Sequence, residues 1–127
     1  MAKCMDCKWW DICRGMMNSG VDCFEGANEP KEVVNCMLYR FGEDSQIDVA
    51  IEEMSELIKE LIKYKRSKIH SQEKQIASRE HVVEEIGDVM FMMEYLKCIF
   101  NIHDEEIQSI VKEKAKRTKR RYIDAEE

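Results

Sequence analysis

The sequence predicts an all-α protein, an antiparallel helical bundle preceded by a small Cys-rich segment. Three observations predict it. Apolar residues recur at three- and four-residue spacing over long stretches of residues 31–122. One proline and five glycines leave few helix breakers, and 36% charged against 44% apolar residues describe a soluble, helix-rich globule rather than a disordered or all-β chain. An acidic octet also occurs twice: IEEMSELI at residues 51–58 returns as VEEIGDVM at residues 83–90, matching aliphatic, acidic and small positions class for class.

The 127 residues fit one domain plus a small appendage. Residues 1–29 are the appendage and hold Cys4, Cys7, Cys13 and Cys23. Cys4 and Cys7 have the spacing by which a tight turn offers two thiolates to one metal, and Cys13 and Cys23 complete a four-sulfur set. Zinc is the first expectation, because its thiolates supply folding energy that so few residues cannot gain by burial. An iron–sulfur cluster takes the same four ligands, and free cysteines around a Trp9/Trp10 patch remain the plain alternative. No apolar run reaches the ~20 residues of a membrane span, and the start lacks the apolar core of a signal peptide. The expectation is therefore a cytoplasmic chain with reduced cysteines and no membrane.

Residues 30–127 form the helical domain. Pro30 suits a first helical position, and Val33, Val34, Met37, Leu38 and Phe41 continue a short helix over residues 31–41. Cys36 in that helix reads as a small core or surface residue. Residues 42–45 break the pattern, with Asp44 or Ser45 expected to cap the next helix. From residue 46 to about 65, Ile47, Ala50, Ile51, Met54, Leu57, Ile58, Leu61 and Ile62 form a strong amphipathic stripe. Residues 67–79, poor in apolar side chains, read as a polar connection. A helix over residues 80–100 begins amphipathic and then turns apolar nearly all round, which demands cover from a second subunit. Asp104 is the expected cap of a last helix, residues 105–122, whose apolar side is thin and whose end is basic.

Each octet puts acids three residues apart, Glu53/Glu56 and Glu85/Asp88, on neighbouring positions of one helix face. Two such helices side by side bring four carboxylates together, which repel unless something positive joins them. Oxygen ligands without nearby cysteine or histidine suit Mg²⁺, or Mn²⁺ in its place. Ser55 and Gly87 occupy equivalent places in the two copies, and a mid-helix glycine points to close helix approach or room for a ligand. Lys114, Arg117 and Arg121 line one side of the last helix. With a net charge of −6 the chain is a poor general nucleic-acid binder, but this basic helix is able to neutralise a phosphorylated ligand locally. The other reading of each acidic motif and of the basic run is a solvated helix face.

Glu52-Glu53-x-x-Glu56 followed by Glu85-x-x-Asp88 resembles the signature of the MazG-like all-α nucleoside triphosphate pyrophosphohydrolases. The flanking IEEMSELIKEL and VEEIGDVM, Gln46 ahead of them, and Lys114-x-x-Arg117 with Arg121 are similar to that family as well, over residues 31 to the end. The resemblance implies Mg²⁺ on Glu53, Glu56, Glu85 and Asp88, with Glu52 or Glu84 orienting water. It also implies phosphate contacts by Lys114 and Arg117, and a bundle assembled as a homodimer or homotetramer. The implied reaction hydrolyses a nucleoside triphosphate between the α and β phosphates, giving a nucleoside monophosphate and pyrophosphate. The Cys-rich start departs from the family pattern and keeps two alternatives open. One is a non-catalytic scaffold whose knuckle binds a partner or nucleic acid; the other is a metal or redox sensor.

Overall fold

A computed structural model describes residues 29–126, so the Cys4, Cys7, Cys13 and Cys23 set lies outside the described residues. The described chain is all-helical and contains no strand. It comprises α1 (Pro30–Phe41), α2 (Glu43–Ser67), α3 (Gln72–Ile99) and α4 (Asp104–Tyr122), then a 3-10 turn over Asp124–Glu126. None of these helices is long and apolar enough to cross a membrane.

α1 starts as its proline predicts, one residue earlier than the apolar spacing alone indicates. A capping box holds its first turn, in which the Glu32 carboxylate accepts from the Glu29 amide at 3.2 Å. Gly42 then turns the chain with φ 85°, a left-handed value natural to glycine. It also stands at the N-cap of α2, so neither Asp44 nor Ser45 caps that helix. The Ser45 hydroxyl instead donates back to the Phe41 carbonyl at 2.8 Å, tying the two helices across the glycine.

The expected polar connection over residues 67–79 is mostly helix. α3 begins at Gln72, capped by the Ser71 hydroxyl, which accepts from the Lys74 amide. Residues 72–79 carry little apolar content but are largely good helix formers, so propensity and a cap suffice where a buried face is missing. Only a four-residue turn separates α2 from α3, and the two run antiparallel along most of their length.

Val34 and Leu38 of α1, Ala50 of α2, and Met92 and Tyr95 of α3 form the core, flanked by Met37, Val49, Leu96, Cys98 and Ile99. Phe91 meets Tyr95 edge to face at 5.3 Å between centroids. Cys36 is buried and Cys98 half-buried. The core thus occupies the end of the hairpin away from its turn. Elsewhere α3 leaves Val83, Ile86, Met90 and Met93 exposed, and α2 leaves Ile51, Ile58, Leu61 and Ile62 exposed, so the cover that their apolar character demands is absent among the described residues.

α4 is reached through Asn101, at φ 51°, and its N-cap is His103 rather than Asp104. Asp104 serves differently: it accepts from Lys97 Nζ at 2.9 Å, and the same ammonium pairs with Glu94 at 2.6 Å. Beyond this junction α4 buries no residue and, among the described residues, packs only on the 3-10 turn that follows it.

Candidate metal centre

The hairpin register decides which acids meet. At 1.5 Å rise per residue, Glu53 lies roughly 20 Å from the α2–α3 turn along α2, and Glu85 and Asp88 lie roughly 20 to 24 Å from it along α3. The two octets therefore face each other at one level, directly beside the core. Carboxylate oxygens of Glu53, Glu85 and Asp88 fall within 4.8 Å of one another.

Glu53 and Glu85 are half-buried, whereas Asp88 is exposed, so the cluster has a protein wall behind and an open side in front. Burial pushes the Glu53 carboxyl above its ordinary range, and the charges of Asp88, Glu52 and Glu56 push it further. Glu85 is raised likewise, by burial first and then by Asp88, Glu53, Glu56 and Glu84. Among the described residues no cation acts on either carboxyl. Glu85 Oε2 is also buried without a hydrogen-bond partner among the described residues, a costly state that a bound cation would relieve. Three hard oxygen donors, one orphaned and two held above their usual range, fit a divalent ion such as Mg²⁺ or Mn²⁺.

The remaining acids of the octets stand around this triad. Glu56 is exposed and pairs with Lys59 at 3.6 Å, yet its charge reaches both Glu53 and Glu85. Glu52 and Glu84 lie on the exposed side, each acting on its neighbouring acid. Ser55 is exposed and donates to the Ile51 carbonyl at 2.8 Å, and a Cβ built on Gly87 meets nothing within 4 Å. Neither small residue serves helix contact inside this chain; at Gly87 the effect is open space one position before Asp88.

Lys114, Arg117 and Arg121 fall on one face of α4 and are not brought to the carboxylates within the single chain. A shallow cleft of about 380 Å³ beside Lys114 and Arg117 is walled by α4 residues alone. That face reads Ile107, Ile110, Lys114, Arg117, Arg121, a three-four-three-four alternation like a coiled-coil seam whose first half is apolar and second half basic.

Sequence spacing gave no sign of Lys97, whose role depends on a junction between helices. It also gave none of the cations at the α2–α3 turn, where a charge count over residues 59–81 was the available signal. No family model, curated protein or solved structure matches the chain.

Proposed function

We propose that the protein is a divalent-cation-dependent nucleoside triphosphate pyrophosphohydrolase, a MazG-like helical homo-oligomer. The observation that carries this reading is the meeting of Glu53, Glu85 and Asp88 across the hairpin, with Glu85 Oε2 buried and unpartnered. These three carboxylates are the ligands for Mg²⁺ or Mn²⁺ in this reading, and Glu56, whose charge acts on both Glu53 and Glu85, adds to the negative field that would hold the ion.

When bound, a divalent ion supplies charge neutralisation on the phosphates and a lowered pKa for water. The protein's own groups do the rest. The open side at Asp88 and Gly87 admits the phosphate chain. Glu52 and Glu84, on the exposed flank, are placed to orient the attacking water and take its proton. Lys114 and Arg117 offset negative charge that builds on the leaving pyrophosphate.

Those cations come from a second copy in this reading. α4 buries nothing of its own, and its apolar half, Ile107, Ile110 and Val111, is exposed. The acidic hairpin has exposed apolar residues beside its carboxylates, and among the described residues the nearest cation, Lys59, pairs with Glu56 while none acts on Glu53 or Glu85. An apolar-then-basic helix complements an apolar-then-acidic hairpin. The test is hydrolysis of a panel of ribo- and deoxyribonucleoside triphosphates with Mg²⁺ and product identification. Monophosphate and pyrophosphate in equal amounts are expected; orthophosphate as the product, or no turnover of any nucleotide, would overturn the reading.

A further inference from the structure

The turn end of the hairpin has the opposite electrostatics from its middle. The chain is acidic overall, with a net charge of −6. Yet a cleft of about 380 Å³ between the end of α2 and the start of α3 has no carboxylate in its lining. Lys63, Arg66 and His70 come from the α2 side, spaced at three and four, and Lys74 and His81 face them from α3. The Ser78 hydroxyl stands between the last two, also in the lining.

The charge is only partly compensated. Glu60, buried and outside the cleft's lining, accepts from Lys63 at 2.7 Å and answers that one ammonium. Its carboxyl is held below the ordinary range, first by that hydrogen bond and then by the charges of Lys63, His81 and Lys59. Arg66 and Lys74 make no ion pair among the described residues. The cleft therefore offers two cations that make no ion pair among the described residues, a third shared one, two imidazoles with an N–H donor each, and no carboxylate.

We propose that this cleft binds an oligophosphate anion, at a site distinct from the carboxylate cluster. Along α2 the nearest cleft cation, Lys63, lies roughly 15 Å from Glu53 at 1.5 Å per residue, about twice the ~8 Å screening length at physiological salt; on α3 the two sites approach more closely, His81 standing four residues before Glu85. Each keeps its own ligand. Several cations around one small cleft match the dense charge of a di- or triphosphate better than a single monoanion. A nucleic-acid strand needs a continuous basic track, and the acidic hairpin beyond the cleft interrupts one.

Calorimetric titration of the full chain with pyrophosphate in EDTA tests the site without any metal. One pyrophosphate per chain is expected. The Arg66→Gln/Lys74→Gln double variant should bind it at least tenfold more weakly, while Lys112→Gln/Lys116→Gln, two exposed lysines of α4 outside both proposed sites, binds it unchanged. Circular dichroism of both variants verifies that the helices persist. A nucleoside triphosphate that competes assigns the cleft to nucleotide tails, and one that does not assigns it to the free inorganic anion. The proposal is overturned by absence of pyrophosphate binding, by loss in the α4 variant instead, or by a single-stranded oligonucleotide that binds more tightly than pyrophosphate. Because no divalent ion is present, failure here leaves the hydrolysis assay unaffected.

Discussion

Ile110→Glu tests whether α4 completes its packing on a second copy. Ile110 is 56% exposed in the single chain, which corresponds to about 100 Å² of mostly apolar surface, so covering it is worth about 2.5 kcal/mol at 25 cal/mol per Å². In a symmetric dimer the same contact occurs twice, giving an upper value of about 5 kcal/mol, or three to four orders of magnitude in the dissociation constant. The substitution should not unfold α4 itself, since a glutamate four residues before Lys114 forms a favourable helical pair. Sedimentation equilibrium over a concentration series reads the effect. The native chain should be dimeric or larger at micromolar concentration, and the variant monomeric there with its helix content unchanged. A native chain that is monomeric throughout, or a variant with the same association constant, would refute the reasoning.

Three further outcomes follow from the site and its surroundings. Glu85 and Glu53 titrate above the ordinary carboxylate range, so each favours the folded state below that range and disfavours it as pH rises through the raised value. At neutral pH without metal, Glu85→Gln should therefore raise the melting temperature. With Mg²⁺ in hundredfold excess over its Kd the native chain gains about 2.7 kcal/mol and the variant little of it; a variant less stable in EDTA would contradict the proposed crowding of charge. Lys97→Met, which removes the ammonium shared by Glu94 and Asp104, should cost about 1 kcal/mol in urea unfolding, discounted for the exposure of Asp104. Asp104 is lowered and Lys97 raised. The difference should thus hold from about pH 4 to pH 10, fading as pH falls through the lowered carboxyl and as it rises through the raised amine.

The doubled octet was legible because its information is local: a helical period fixes which acids share a face, and a hairpin of two such helices aligns the copies. Its partition was less so. Glu56 has the same sequence claim as Glu53, yet it sits one further turn-position round the helix and finds Lys59 instead of the triad. Residues 72–79 read as a connection because a buried stripe is absent there, whereas Ser71 and helix-forming side chains are enough to start α3. The caps at Gly42 and His103 were missed for a related reason. Asp44 and Asp104 are better capping residues by type, but the chain direction set by Gly42 and the pull of Lys97 place them inside their helices. The apolar excess on α3 was visible in the sequence, and the structure adds that α4, too, has its apolar side uncovered among the described residues.

The most direct test of the account is the rate of pyrophosphate release from a nucleoside triphosphate by the native chain and by Asp88→Asn, at saturating Mg²⁺. Asp88 is exposed and contributes nothing to the core, so the variant should keep its helix content and oligomeric state. The account predicts release of pyrophosphate by the native protein and a loss of at least a hundredfold in the variant. Equal rates in the two proteins would contradict a metal centre formed by Glu53, Glu85 and Asp88.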